Sequence, residues 1–192
     1  MNLIDPERIR DRSRLLTGLN GDARVAEAIG LLAGVLKEGG KVLAFGNGGS
    51  ATQSSHFTAE LVNKFYLRRP ALPALALAAD MANVTSIAND EEFAAVFSRQ
   101  IEALGRRGDA ALGITTSGRS ANVLRGLAKA REMGLATVAL AGNRTEELQA
   151  IPVNVLVRVD ADDTPTVQEM HLFVLHVMAE MIEKSIYGGN HG

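Results

Sequence analysis

The chain has 192 residues, of which 46% are hydrophobic, 20 are Lys or Arg and 22 are Asp or Glu. This length and apolar content suffice for one domain with a sizeable core, which excludes wholesale disorder. The net charge of −2 argues against nucleic-acid or membrane-surface binding through a basic face. Cysteine is absent, which excludes disulfides and thiolate metal sites. Since no apolar stretch resembles a signal peptide or a membrane span, we expect a cytoplasmic protein.

The predicted elements begin with helices at residues 6–38, where Gly21 and Asp22 mark a break. Five later segments are apolar nearly throughout, as strands buried on both faces are. Helical segments separate them, which predicts right-handed crossovers and a parallel sheet between two layers of helices. The strands are predicted at 41–46, 72–78, 110–115, 136–142 and 153–159, and the helices at 50–66, 92–105, 119–133 and 144–150.

A further strong helix is predicted at 166–186, after the helix-start sequence Asp163-Thr164-Pro165. It is apolar around far more than one stripe, and such a helix must be covered on most sides. Because one layer of helices in a monomer of this size hardly covers it, we expect a subunit interface. The chain then divides into N-terminal helices (1–38), an αβα core (39–160) and a C-terminal interface helix (165–187).

The loop GNGGSA follows the first predicted strand, at the sheet edge where open parallel sheets bind ligands. Its glycines let the backbone approach a ligand closely, and we expect Ser50 to begin a helix with free N–H groups facing an anion. The loop lacks the GK[ST] of a Walker A sequence and the spacing of a dinucleotide fingerprint. A glycine turn required only for its geometry is therefore the alternative interpretation.

The loop TTSGRSANV follows the third predicted strand and carries four hydroxyl groups at the mouth of a helix. Hydroxyls together with helix-start amides form a neutral phosphate site that needs no lysine. The alternative is a helix N-cap, for which one serine would suffice, so the number of hydroxyls favours phosphate. These residues are Thr115, Thr116, Ser117 and Ser120.

The stretch IANDEEF places Asn89 and Asp90 in a third loop. Taken alone, this stretch favours a helix cap, because Asn and Asp are preferred there. The same side chains at such a position could instead bind sugar hydroxyls.

His56 and Glu60 are four residues apart, so they project from one face of a predicted helix. Imidazole nitrogen and carboxylate oxygen both suit Zn²⁺. From the residues alone, an exposed His–Glu pair without metal is the more usual arrangement. His171 and His176 could likewise be hydrogen-bonded histidines within a helix bundle.

The segments GNGGSA, TTSGRSANV and QEMH, in this order and spacing, resemble the sugar isomerase (SIS) domain family, and within it the phosphoheptose isomerases. The resemblance runs from about residue 35 to residue 186. It implies an α/β fold, a five-stranded parallel sheet flanked by helices, assembled as a homotetramer with active sites at subunit interfaces. The implied reaction is aldose–ketose isomerisation of a phosphorylated seven-carbon sugar, sedoheptulose 7-phosphate. Its product, D-glycero-D-manno-heptose 7-phosphate, enters nucleotide-activated heptose biosynthesis, which supplies lipopolysaccharide precursors.

The resemblance also implies roles for individual residues. It places the phosphate on the hydroxyl-rich loop and assigns acid–base chemistry to Glu60 and His176, which we interpret as base and acid. It places the sugar over and beside Asn47, Gly48, Gly49, Ser50, Asn89 and Asp90. It implies one Zn²⁺ per active site, held by His56, Glu60, Gln168 and His176, with Gln168 also near the substrate.

Gln168 and His176 are eight residues apart on one predicted helix, which separates them by about 12 Å along its axis. Since zinc–ligand bonds are about 2 Å long, one ion is hard to reach from both. We therefore expect one of the two to come from a neighbouring subunit. His171, one turn after Gln168, is a reserve ligand or a group supporting the ligands.

Two other functions are open to a chain of this kind. A non-catalytic SIS protein that binds a replication-initiation partner would lack the glutamate and the second histidine, whereas this chain has Glu60 and His176. An isomerase of another ketose phosphate, such as a hexulose 6-phosphate, shares the fold and the phosphate loop. A transcription regulator would need a DNA-binding domain, for which about 35 residues before the sheet leave little room.

Overall fold

The computed structural model describes residues 5–188, which form five strands, eight α-helices and one 3-10 turn at Phe93–Ala95. The strands are β1 (Val42–Gly46), β2 (Ala74–Ala76), β3 (Ala110–Thr115), β4 (Ala136–Ala141) and β5 (Val155–Arg158). The helices are α1 (Pro6–Leu19), α2 (Ala23–Lys37), α3 (Gly49–Val62), α4 (Met81–Asp90), α5 (Val96–Leu104), α6 (Ala121–Glu132), α7 (Glu146–Gln149) and α8 (Thr164–Tyr187).

The five strands form one parallel sheet in the order β2-β1-β3-β4-β5. In the centre of the sheet, Phe45 of β1 is level with Gly113 of β3, and Ile114 of β3 is level with Leu140 of β4. Because all strands run in the same direction, their carboxyl ends lie along one edge. The predicted α/β fold with a five-stranded parallel sheet is confirmed.

Side chains of each strand alternate between two hydrophobic cores, one on each face of the sheet. In β1, Val42 and Ala44 belong to the core formed with α2, α3 and α8, whereas Leu43 and Phe45 belong to the core formed with α5 and α6. The strands are apolar throughout because both faces are covered. The functional helices α3 and α8 lie on the same face.

The predicted strands and most predicted helices are observed, with ends that differ by a few residues. The largest difference among the strands is β2, which has only three residues and follows Pro73 at the edge of the sheet. The helix α4 is absent from the prediction. Its start signal is Asp80, whose carboxylate accepts hydrogen bonds from the backbone N–H groups of Ala82 and Asn83 at 2.9 and 3.3 Å.

Aspartates also begin the helices α2 and α8. The predicted break at Gly21 and Asp22 separates α1 from α2, and Asp22 accepts from the N–H of Arg24 at 2.7 Å. The predicted start of the last helix is also correct, because Asp163 accepts from the N–H of Thr166 at 3.1 Å.

The chain itself covers most of the apolar surface of α8, which corrects the argument made from its hydrophobicity. The elements packed around α8 are α1, α2, α3 and β4. Phe173 and Met181 remain 43% exposed. A smaller apolar patch than the sequence implied is therefore left for another surface. Within residues 5–188, no helix is both long enough and apolar enough to cross a membrane.

His171 is fully buried on α8, and neither of its ring nitrogens has a hydrogen-bond partner. Burial lowers its pKa to about 4, and the nearby carbonyl of Ala141, which favours protonation, offsets this only in part. The histidine is therefore neutral in the folded protein at neutral pH.

His171 should make the protein less stable in mild acid. Its pKa of about 4 in the folded state lies below the ordinary value of 6.5, so the unfolded chain binds the proton first as the pH falls. The free energy of unfolding should lose roughly 3 kcal/mol from this residue between about pH 6.5 and pH 4. Urea denaturation of wild type and His171→Phe at several pH values measures this loss. An identical pH dependence in both proteins would contradict the prediction.

Candidate active site

Two loops meet at the carboxyl edge of the sheet, between β1 and β3. The connection from β1 leads to β2 on one side, whereas the connection from β3 leads to β4 on the other. Such a reversal opens a crevice in which open α/β sheets bind ligands. The side-chain amides of Asn47 and Asn122 join the loops through two reciprocal hydrogen bonds of 2.8 Å. The geometry thus brings the two predicted ligand loops together.

The loop after β1 turns at a glycine with a positive φ angle. Gly48 has a φ of 53°, in the region that favours glycine, and α3 begins at Gly49. The expectation of a free N–H group at Ser50 is wrong, because that group donates to the carbonyl of Asn47 at 2.9 Å. The Ser50 residue is also buried, with 3% exposure. Asn47, Gly48 and Gly49 remain the accessible part of this loop.

Gly49 has no side chain where Gln168 packs against it. A Cβ atom at Gly49 would lie 2.5 Å from Nε2 of Gln168. The nearby Gln53 of α3 donates from Nε2 to the backbone carbonyl of Gln168 at 2.7 Å. The beginning of α8 therefore lies directly beside the beginning of α3.

The loop after β3 presents its hydroxyls around the start of α6. The hydroxyls of Thr115 and Ser120 are 3.2 Å apart and hydrogen-bonded. Ser120 occupies the N-cap position, but its side chain does not cap the helix. The capping explanation is therefore wrong for Ser120. Ser117 accepts from the N–H of Arg119 at 3.2 Å, and Thr116 contacts the hydroxyl of Thr164 at 3.5 Å.

Gly118 holds this hydroxyl-rich loop close to the following one. Its φ is 67°, and an added Cβ atom would lie only 1.8 Å from the carbonyl oxygen of Arg144. Any other residue would combine an unfavourable backbone conformation with a clash against backbone. The shape of the loop therefore requires glycine here.

Asn89 and Asp90 do not begin a helix, which corrects the capping interpretation. They are the last two residues of α4, and both are exposed. The amide of Asn89 donates to the carboxylate of Asp90 at 2.7 Å. Their role in sugar binding stays a prediction.

The predicted base, acid and histidine ligand converge between α3 and α8. Nε2 of His56 lies 2.8 Å from Nε2 of His176, and 3.5 Å from Oε1 of Glu60. The ring of Phe65 packs beside His176, with 5.7 Å between ring centroids. The side chains of His56 and Glu60 are 42% and 24% exposed, so the cluster is accessible from solvent.

One chain supplies this whole cluster, so His176 does not need to come from a neighbouring subunit to meet His56. The helices α3 and α8 run side by side in the same direction, which brings Gln168 to Gly49 and His176 to His56. Gln168 therefore lies at the beginning of the contact between α3 and α8. It is still separated from His176 by about two helical turns along α8.

The cluster fits zinc in the kind of donors it offers. Imidazole nitrogens and a carboxylate oxygen are ordinary zinc ligands, and the two Nε2 atoms lie 2.8 Å apart. Nitrogens on one tetrahedral zinc lie roughly 3.3 Å apart, so the rings need only a small rotation to accept an ion. Across residues 5–188, no three side chains of His, Cys, Asp or Glu already surround a common metal position.

Two residues of this region were not predicted from the sequence. Asn122 is 2% exposed and pairs with Asn47; its only signal was its place directly after the hydroxyl-rich loop. Gln53 has a buried Oε1 atom with no hydrogen-bond partner. No signal in the sequence marks Gln53, because its position depends on how α8 packs on α3.

Comparison with known proteins identifies the family. The SIS domain family matches residues 11–142. The chain belongs to this family. It is 43% identical over 163 residues to a phosphoheptose isomerase of Thermodesulfovibrio yellowstonii, covering 85% of this chain and 81% of that protein. The predicted membership is thereby confirmed.

Solved structures agree with this SIS-domain assignment. The phosphoheptose isomerase of Neisseria gonorrhoeae has a TM-score of 0.86 and 35% identity, covering 93% of this chain and 96% of its own. That of Francisella tularensis has a TM-score of 0.87 and 33% identity, covering 93% and 95%. The similarity therefore includes the helices outside the matched range 11–142.

A substitution at Gly118 tests whether the hydroxyl-rich loop binds phosphate. In Gly118→Ala, the clash with Arg144 should displace the loop and weaken phosphate binding by about 10-fold or more. Inorganic phosphate should then raise the melting temperature of the wild type but not of the variant. Gly21→Ala is the matched control, because Gly21 has a φ of 81° but no atom within 4 Å of an added Cβ. Equal stabilisation of all three proteins by phosphate would contradict the assignment.

Proposed function

We propose that this chain is a phosphoheptose isomerase, which converts sedoheptulose 7-phosphate into D-glycero-D-manno-heptose 7-phosphate. The observation that carries the proposal is the convergence of Glu60 and His176 on Nε2 of His56. The identity of 43% to a phosphoheptose isomerase over most of both chains supports the same function. A non-catalytic relative would not need a carboxylate and an imidazole at one accessible position. The product is the starting sugar for a nucleotide-activated heptose.

The substrate phosphate binds at the hydroxyl-rich loop after β3. The hydroxyls of Thr115 and Ser120 are hydrogen-bonded to each other, whereas Ser117 is exposed at the tip of the loop. Hydroxyls and helix-start amides bind a phosphate without a cation. Binding energy from this non-reacting group orients carbons 1 and 2 towards Glu60 and His176.

The sugar lies over Asn47, Gly48 and Gly49, where the absence of side chains on two residues leaves room for it. The amide of Asn47 is fixed by Asn122, so it is preorganised. Preorganised polar groups orient a sugar without paying for reorganisation during the reaction. Asn89 and Asp90 bind sugar hydroxyls from the end of α4.

Glu60 takes the proton from carbon 1 of the ketose. The electron pair of that C–H bond forms the carbon 1–carbon 2 double bond, while the carbonyl oxygen on carbon 2 accepts a proton from His176. Protonated Glu60 then returns its proton to carbon 2, while the hydroxyl on carbon 1 gives its proton to neutral His176 and becomes the aldehyde oxygen. The net change moves one hydrogen from carbon 1 to carbon 2 and one from oxygen 1 to oxygen 2, so it requires no oxidant.

We propose that the same cluster holds one Zn²⁺ through His56, Glu60 and His176 of one chain, with the fourth protein donor, a Gln168 side chain, supplied by a neighbouring chain. Bound zinc would stabilise the negative charge that develops on the substrate oxygens, as a Lewis acid without redox chemistry. The donor types support zinc, as does the distance of 2.8 Å between the Nε2 atoms of the two imidazoles.

We also propose a cytoplasmic homotetramer. The exposed side chains of Phe173 and Met181 on α8 support association through this helix. The absence of cysteine supports a reducing compartment. Light scattering checks the number of chains in the assembly, and a monomer would contradict it.

Incubation with sedoheptulose 7-phosphate, with identification of the product, tests the activity. Wild type should turn the ketose over, and Glu60→Gln should lose about 10³-fold or more in kcat because the amide cannot accept the proton. Glu27→Gln, at an exposed position on α2, is the control and should retain wild-type activity. Equal activity of Glu60→Gln and wild type would remove Glu60 from the chemistry. No turnover by wild type would refute the proposed function.

Metal analysis after dialysis tests the zinc proposal separately. Wild type should retain about one zinc per chain, and His56→Ala should bind zinc at least about 10-fold more weakly because it loses one ligand. Gln168→Ala tests whether the Gln168 amide contributes to zinc binding, since this side chain lies against Gly49. Zinc binding that is unchanged in His56→Ala would contradict the assigned donors.

A further inference from the structure

An ion pair between Arg69 and Glu183 is buried directly behind the candidate site. The two side chains are 2% and 1% exposed, and Nε of Arg69 lies 2.9 Å from Oε1 of Glu183. Burying two charges costs several kcal/mol per ion unless their hydrogen-bonding groups are satisfied, so such a pair calls for a physical reason.

Glu183 binds the backbone of the chain segment that follows α3. Its carboxylate accepts from the backbone N–H groups of Phe65, Tyr66 and Leu67 at 3.1, 2.7 and 2.8 Å. Burial would raise the pKa of Glu183, but these hydrogen bonds and that from Arg69 outweigh it and hold the pKa below its ordinary value. The carboxylate is therefore charged and fully used in holding this segment.

Arg69 closes the end of α3. Its guanidinium donates to the carbonyl of Leu61 at 2.8 Å and to the carbonyl of Glu60 at 2.8 Å. The last carbonyls of a helix lack partners within the helix, and a cation is favourable at that end of the helix dipole. Arg69 thus binds the backbone of the residue that we propose as the base.

The Arg69–Glu183 pair is also connected to His176, through α8 and through Phe65. Glu183 is seven residues after His176 on α8, which places it about two turns further along the helix. Phe65, whose N–H is bound by Glu183, packs its ring 5.7 Å from the ring of His176. The pair therefore connects the backbone of Glu60 with the packing of His176.

We propose that Arg69 and Glu183 are positioning residues for the isomerisation, which fix Glu60 and His176 relative to each other across α3 and α8. This inference rests on the proposed function. Neither residue touches the substrate. They act by holding two helices whose side chains must meet within hydrogen-bonding distance, where misplacement by 1 Å can cost about 100-fold in rate.

A second ion pair with a buried carboxylate, Lys41–Asp109, provides a matched control. Asp109 is 4% exposed and accepts from the N–H groups of Lys41 and Arg106 at 2.9 and 2.8 Å, as well as from the side chain of Lys41. It resembles Glu183 in burial and in its partners. It lies before β3, at the opposite edge of the sheet from the candidate site.

The experiment compares Glu183→Gln with Asp109→Asn. Both substitutions neutralise a buried carboxylate, and both should lower the melting temperature. Only Glu183→Gln should also lower kcat, by about 10-fold or more, with KM changed less than about 3-fold because the phosphate loop is untouched. Asp109→Asn should keep kcat within about 2-fold of wild type when measured well below its melting temperature.

Arg69→Lys is a second test variant, which keeps the inference testable if Glu183→Gln does not fold. Lysine keeps the charge but cannot reproduce the fork that binds Glu183 and the carbonyl of Glu60 together, so kcat should fall by several-fold while stability is largely kept. Wild-type kcat in both Glu183→Gln and Arg69→Lys would overturn the inference. So would an equal loss in Asp109→Asn.

The imidazole ¹⁵N resonances provide a readout that does not depend on turnover. The signals of His56 and His176 should shift in Glu183→Gln and Arg69→Lys and remain unchanged in Asp109→Asn. Unchanged signals in the first two variants would refute the positioning role even if the enzyme were active. If the signals shift in these two variants but the wild-type protein does not isomerise the sugar, only the proposed function is refuted.

Discussion

The parallel contact between α3 and α8 is the constraint on which the candidate site depends. His56 and His176 are 120 residues apart in the chain, yet their Nε2 atoms lie 2.8 Å apart because both helices pack on the same face of the sheet. Small or polar residues along α3, such as Gly49 and Gln53, allow α8 to approach closely at its beginning. A shift of one helix along the other would separate the two imidazoles.

The candidate site divides its tasks between two regions. The loops after β1 and β3 meet where the strand order reverses, and the reciprocal hydrogen bonds of Asn47 and Asn122 join them. The titratable groups lie on the two helices, about two or more helical turns from the start of α3. Binding and proton transfer can therefore use separate groups, and a phosphate held at one end can orient carbons at the other.

Buried polar groups contribute geometry here more than stability. A buried ion pair such as Arg69–Glu183 is often no more stable than packed apolar side chains, but its hydrogen bonds permit only a narrow range of arrangements. His171, by contrast, is buried with no hydrogen-bond partner on either ring nitrogen, and burial lowers its pKa to about 4. Glu183 and His171 both lie on α8, the helix that carries His176.

The sequence by itself determined the α/β fold, because segments apolar on both faces that alternate with helices permit little else, and it marked the hydroxyl-rich loop and the His56–Glu60 pair through local spacing. It did not reveal α4, whose start depends on Asp80, or the end of that helix at Asn89 and Asp90. Only the tertiary structure brought His176 to His56 within one chain. It alone revealed Arg69 and Glu183 as a pair. These features depend on packing between segments far apart in the chain, and the strength of a hydrogen bond or an ion pair depends on distances that local patterns do not specify.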